Sequence, residues 1–237
     1  MKKKLLPIFL GIIVLSSCNK DYLDDPKFLE KPCITQSGNP TDRSYIMDSV
    51  IAYSCTSKHC GVLPLSTKNY WVYEDSIFND GTFSKVQFDT LRFSKNWKSL
   101  TDNLVWWESN IEIGLPAVLY ANDSSIFSLT DRFFTPGIKD AKKDYSLFQG
   151  DSLKYLANFE DAAAQGKSIK ISSTISTPAG NFNNNIYFEK NARNYRKDQV
   201  YFNPGIGVIK YIQEKAPIGQ RIIKLQKIST LINFHIE

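Results

Sequence analysis

From about residue 45 onward the apolar residues of this chain recur at every second position, in runs broken by Gly, Pro, Asn and Asp. That period matches the pleat of a strand, whose successive side chains point to opposite faces, and not the turn of a helix. A run with one apolar face has to bury it, so the repeated pattern predicts antiparallel strands arranged around a common core. Tyr70 to Phe78 places Trp71, Tyr73 and Ile77 on one face, and Asn79-Asp80-Gly81 supplies the residues a tight hairpin requires. The returning strand begins near Phe83. Its apolar phase passes from Val86 and Phe88 to Leu91 and Phe93, which predicts a β-bulge near Asp89 and Thr90.

The pattern continues to the C-terminus. Leu104 to Ile113 carries Val105, Trp107, Ile111 and Ile113 on one side, and two shorter strands, Ala117 to Tyr120 and Ile126 to Leu129, flank an Asn122-Asp123 turn. Ile169, Ile171 and Ile175 alternate with Lys170, Ser172, Thr174 and Ser176. Thr177-Pro178-Ala179-Gly180-Asn181 turns into Phe182 to Phe188, and Ala216-Pro217-Ile218-Gly219 joins Gly205–Gln213 to Gln220–Ile228. One segment departs from period two. Leu153, Leu156, Phe159 and Ala163 fall on one face of a helix that Asp151 or Ser152 could cap and Gly166 could end, so a helix is predicted near 152–165. The fold class expected is mainly β: a curved antiparallel sheet, half-barrel or barrel, with this helix across an end or the concave face.

Length and composition limit the alternatives. With 42% apolar and 22% charged residues in 237, the chain has the makeup of a folded globular protein rather than a disordered or polytopic one. Its net charge of +5 includes Lys2, Lys3 and Lys4. Without them the balance is nearly even, which disfavours nucleic acid as a partner. The remaining charge is uneven, since the stretch from Lys167 to Lys227 holds 11 basic and 3 acidic residues.

Lys2 to Lys4, the apolar run Leu5 to Leu15, and small Ser16 and Ser17 follow the order of a secretory signal, with an apolar run too short to span a bilayer. The junction Leu15-Ser16-Ser17-Cys18 resembles the lipobox of bacterial lipoproteins. That resemblance implies cleavage before Cys18 and acylation of its thiol, hence a membrane partner through a lipid anchor. The polar, partly acidic stretch Asn19-Lys20-Asp21-Tyr22-Leu23-Asp24-Asp25 is similar to the tether of surface-displayed lipoproteins of Gram-negative bacteria, including the outer-membrane glycan-capture lipoproteins. This implies an address, exported and anchored to the outer membrane, and no activity. The domain organisation expected is a signal peptide over 1–17, a lipidated tether over 18–44 and one β-rich domain over 45–237.

Cys33, Cys55 and Cys60 remain. In an oxidising compartment they predict a disulfide, with Cys55–Cys60 preferred and Cys33–Cys60 or Cys33–Cys55 as alternatives, because sequence does not fix connectivity. A metal set of Cys33, Cys55, His59 and Cys60 lacks the usual paired-ligand spacing, so no metal is assigned.

The same economy applies to chemistry. Gly205-Ile206-Gly207 lacks the third glycine and the helix of a dinucleotide site, and no cofactor is implied. His59 and His235, the two histidines, are poorly placed to serve a serine nucleophile. Glu74, Asp75, Asp89, Glu108 and Glu112 all lie on predicted strands and could supply a carboxylate pair for glycoside hydrolysis, but no catalytic residue is assigned. The aromatics point elsewhere. Trp106 and Trp107 are adjacent on a strand and must face opposite ways, so with Trp107 in the core Trp106 lies outside or lines a cavity. Trp97, Trp106, Glu108 and Tyr120 are therefore the candidate ligand-binding residues, a stacking platform for a sugar or a wall for an apolar ligand. Thr177 to Phe182 and Tyr201 to Lys210 are also similar to the closing hairpins of small exported β-proteins in bacterial lipoprotein families, which implies a curved β-sheet and no reaction. The reading that results is a non-catalytic anchored protein binding a glycan, an apolar ligand or an envelope protein. The alternative is a structural or assembly component, and an enzyme comes third. Ligand binding predicts a concave aromatic pocket, whereas assembly predicts an apolar patch or a free sheet edge.

Overall fold

The computed structural model describes residues 34–41, 43–46, 50–52, 59–129, 137–147, 152–159 and 162–237. Those residues are all β, with no helix among them. The first strands are short: β1 (Ile34–Thr35), β2 (Ser44–Tyr45), β3 (Val50–Ala52) and β4 (His59–Cys60). A long hairpin follows, β5 (Tyr70–Asn79) and β6 (Thr82–Arg92), then β7 (Lys95–Ser99), β8 (Val105–Glu108), β9 (Val118–Ala121), β10 (Ser125–Leu129) and β11 (Lys139–Ser146). The C-terminal half contributes β12 (Ser152–Asn158), β13 (Ala163–Ile171), β14 (Ile175–Thr177), β15 (Gly180–Phe182), β16 (Asn185–Ala192), β17 (Arg196–Asn203), β18 (Gly207–Lys215) and β19 (Lys224–His235).

These strands build two main sheets. One has eight strands in the order β12-β13-β16-β17-β18-β19-β5-β6, antiparallel throughout and curled into a half-barrel. The other has seven, in the order β2-β11-β10-β9-β8-β7-β3. β1 pairs in parallel with β4, and β14 with β15 forms a small hairpin. Register fixes which side chains share a face. One row across the half-barrel runs Ser168, Phe188, Val200, Tyr211, Ser229 and Asp75, and all of these are buried. The neighbouring row, through Ile169, Tyr187, Tyr201 and Lys210 to Glu74 and Phe88, faces outward.

Three clusters hold the molecule together. The main core lies between the two sheets, where Trp71, Tyr73 and Leu231 of the half-barrel meet Trp107, Leu119 and Ile126 of the second sheet. A second core covers the other face of the seven-stranded sheet with Tyr45, Leu104, Trp106, Val118, Tyr120 and Phe127. A third, of Ala157, Phe159, Ala164 and Ala192, closes one end of the β12–β13 hairpin.

The segment expected as a helix near 152–165 is instead the β12–β13 hairpin, paired from Ser152↔Ile169 to Asn158↔Ala163. Leu156, placed on the buried face of that helix, is 87% exposed. Gly166 is not a helix end but a strand residue opposite Tyr155, whose ring lies where a Cβ would stand. An aromatic side chain covering a cross-strand glycine stabilises a sheet, and no helical spacing competes once both partners are paired. Asp151, the other expected cap, lies outside the described residues.

Other expectations are also revised. The β5–β6 hairpin turns through Asp80 and Gly81, at φ 50° and 85°. Its bulge is at Ser84, between the pairs Ile77↔Lys85 and Phe78↔Phe83, and not near Asp89 and Thr90. Strand 104–113 ends at Glu108, and a loop carries Asn110 and Glu112. Ile169 and Ile171 point outward, with Ser168 on the buried face. Among residues 34–41 and 43–45, β2 extends the seven-stranded sheet, the Gln36 side chain accepts from the Val105 N–H, and Gly38 packs closely against the Leu104 side chain.

Candidate functional site

The concave face of the half-barrel is filled rather than open, and through it runs a belt of charge. Lys190 and Asp144, both buried, form an ion pair at 3.0 Å that ties β16 to β11, with the lysine over the rings of Tyr145 and Phe159. Burial pushes the Asp144 carboxyl above the usual range, against the pull of Lys190. On β17, Arg196 binds Asp198 at 2.6 Å and reaches Glu112 of the overlying loop. Lys227 on β19 lies 2.6 Å from Asp75 and 3.9 Å from Asp89, and donates to the Glu112 carbonyl at 3.1 Å. Burial raises the pKa of Asp75, Lys227 and Ser229 oppose the rise, and Asp89 adds to it.

Two of the carboxylates singled out as a hydrolytic pair, Asp75 and Asp89, thus meet at one lysine. Asp75 is fully buried, so the pair presents one carboxylate to the surface and not two. Glu112 is tied to Arg196 and Glu108 to the Trp97 indole at 3.1 Å, while Glu74 lies on the outward face. Each of the belt's three cations is paired with one or two carboxylates, an internal electrostatic brace.

The proposed stacking platform is brought together, but not at the surface. Trp106 and Trp107 do face opposite ways, and both are 0% exposed. Trp106 sits in the second core, edge-on to Tyr45 at 5.3 Å and tilted against Tyr120 at 5.8 Å. Tyr120 is buried as well, donating to the Gly38 carbonyl at 2.9 Å, and burial pushes its phenol up to about 12. Trp97 packs at the margin of this core, and Glu108 is 4% exposed. The four residues are therefore packing neighbours, and Trp106, expected outside or lining a cavity, is a core indole.

Cys18, Cys33 and Cys55 lie outside the described residues, as does the rest of 1–33, where the signal peptide is expected. Cys60 is on β4, its backbone opposite Thr35. The disulfide and lipid expectations therefore carry forward as expectations.

One feature of the surface was not singled out from sequence. β6 ends the eight-stranded order, so among the described strands it pairs on one side with β5 alone. Asn110 occupies part of the other side: its amide donates to the Thr90 carbonyl at 2.9 Å and its oxygen accepts from the Arg92 N–H at 2.7 Å, as a neighbouring strand would. In a strand the backbone groups of alternate residues point to the same edge. Since those of Thr90 and Arg92 point outward, so do those of Phe88 and Val86, where Asn110 no longer reaches. Their side chains are on the outer face, with Phe88 64% and Val86 46% exposed. The apolar phase change in β6 was the signal. It marks an edge strand apolar on its outer face near the hairpin and on its inner face near Leu91.

The outer face also holds a depression of about 560 Å³ beside β12, lined by Lys154, Leu156, Lys167, Glu189 and Asn191 among others. Charged and amide side chains line it together with Leu156 and one aromatic ring, that of Tyr155, unlike the concave aromatic pocket expected of a ligand site.

No protein-family model and no curated protein matches the sequence. Among solved structures the fold is similar to a presumptive lipoprotein from Parabacteroides distasonis ATCC 8503, at 10% identity and a TM-score of 0.35, over 74% of this chain and 99% of that one. A likeness of this size assigns neither a family nor an activity.

Proposed function

We propose that this chain is a lipid-anchored envelope protein that holds a protein partner by strand addition at the open edge of its half-barrel, without catalysing a reaction. The lipobox-like junction at Cys18 supports the anchor, and the likeness of Asn19 to Asp25 to the tethers of surface-displayed lipoproteins supports the outer-membrane address. The open stretch of β6 carries the rest: two consecutive outward-facing residues, Val86 and Phe88, combine free backbone groups with exposed apolar side chains. Unpaired strand edges of this kind are templates for another chain, and natural sheets usually blunt them. Here the blunting is partial. Asn110 closes Thr90 and Arg92, and Lys85 and Asp89 interrupt the inner face, but the Val86–Phe88 stretch is left open. A partner strand would gain main-chain hydrogen bonds there and bury Phe88, the combination that gives strand-addition complexes affinity and specificity. The glycan-stacking reading of Trp106 loses support because its indole has no exposed surface.

The test is native electrophoresis of gently solubilised envelopes. The parent chain is expected to migrate in an assembly larger than itself and Phe88→Asp to migrate as the free chain. A parent that migrates alone, or a Phe88→Asp variant that stays in the assembly, contradicts the reading.

A further inference from the structure

Three turns gather at one end of the half-barrel. The Asp80-Gly81 turn lies beside Lys224, with a Cβ on Gly81 only 3.8 Å from that of Lys224. The 193–195 turn is hydrogen-bonded to the loop after β18, Ala216 N–H to Tyr195 carbonyl at 2.8 Å. The loop between β18 and β19, residues 216–223, is the most prominent feature there. Ile218 is fully exposed, Ile222 is 72% exposed, and Phe83 at the start of β6 is 57% exposed.

Around these apolar tips stand Arg193, Lys215, Arg221 and Lys224, none of them paired with a carboxylate among the described residues. Lys215 rests over the Tyr195 ring at 5.5 Å, which holds its ammonium at this end. Among the described residues Asp80 and Glu214 stand against them; Glu160 and Asp161, between β12 and β13, lie outside the described residues. A fully exposed isoleucine at a hairpin tip costs solubility and contributes nothing to this core. Apolar residues rimmed by lysine and arginine match a bilayer with anionic headgroups, where the apolar tips enter the acyl boundary and the cations stay at the phosphates.

We propose that this end of the half-barrel docks on an anionic phospholipid bilayer, with Ile218 and Ile222 inserting and the four basic residues holding the headgroups. The charge flanking the 216–223 loop, Lys215, Arg221 and Lys224 against Glu214 alone, commits the surface to lipid. Reach allows it: β1 sits at the opposite end, beside Val62 and the 203–207 turn, and the sixteen-residue span from Cys18 to Ile34 extends at most about 55 Å, longer than any strand it must pass. The site is separate from the open stretch of β6 and does not depend on the partner reading.

The test is hydrogen exchange on the full chain reconstituted in vesicles of phosphatidylcholine alone or of phosphatidylcholine with phosphatidylglycerol. Amides of 216–223 are expected to exchange about tenfold or more slowly on the anionic vesicles, because each basic residue near such a surface changes partitioning about fivefold. Raised salt should weaken the effect. Ile218→Asp/Ile222→Asp should abolish it while the β17 and β18 amides keep their protection, which shows the variant is folded. Equal exchange on both vesicles, or protection that persists in the double variant, overturns the proposal. So does protection that appears only when envelope proteins are added, which would make the loop a protein contact.

Discussion

Trp106 fills a core that its neighbour Trp107 does not touch, so its removal should cost what a core tryptophan costs. Trp106→Ala is expected to destabilise the chain by about 3–5 kcal/mol in chemical denaturation. A loss of a few tenths would mean the indole is not held as the second core requires. Strand geometry alone said that the two indoles diverge. What covers Trp106 was not legible, because Tyr45 on the indole and Gly38 on its neighbour Tyr120 are far away in sequence, in a stretch with the Gly, Pro and Asn content of a linker. The buried pair Asp144–Lys190 makes a second residue-scale claim. Asp144→Asn leaves a buried ammonium without its partner and should cost about 3–5 kcal/mol, whereas Asp144→Asn/Lys190→Met should cost much less. A double-mutant cycle in urea measures the coupling, and additive losses would show that the two groups do not act as a pair.

Among the elements, the β12–β13 hairpin shows where periodicity misleads. Four apolar residues at helical spacing over 153–163 are matched by a strand reading once Tyr155 and Ala157 are recognised as the inward set and Leu156 as outward. Only the pairing of Tyr155 with Gly166 separates the two, and a cross-strand contact leaves no local mark in the sequence. Leu156→Thr should therefore change stability by less than about 0.5 kcal/mol, as expected for an exposed site. A loss of core size would restore the helix. β6 gives the companion prediction. Proline is tolerated where a strand's N–H faces an open edge and not where it bonds a neighbour. Val86→Pro should leave a folded chain that no longer enters the envelope assembly, while Gln87→Pro, whose N–H faces β5, should unfold at distinctly lower denaturant. If the two substitutions destabilise equally, the assignment of the open edge is wrong.

For the whole molecule, period two was enough to read a curved antiparallel β-fold, and the hairpins at 79–81 and 216–219 fell where their turn residues lie. The partition into two sheets was not readable, because it depends on which strands become edges, a property of long-range pairing. The candidate site was legible only as an anomaly, the phase change at Val86 to Leu91. Read as a bulge the anomaly marks no surface, and read as an outward apolar edge it marks the stretch proposed to take a partner strand. The basic stretch from Lys167 to Lys227 divides likewise: Lys190, Arg196 and Lys227 are spent inside on the charge belt, and Arg193, Lys215, Arg221 and Lys224 collect at one end.

The central claim, that a partner strand lies along β6, is tested most directly by photo-cross-linking in intact envelopes from positions 86 to 89, one at a time. The account predicts a single discrete adduct from Val86 and Phe88 and none from Gln87 and Asp89, whose side chains face inward. Adducts from all four positions, from none, or equally from Leu156 on the opposite edge would contradict it.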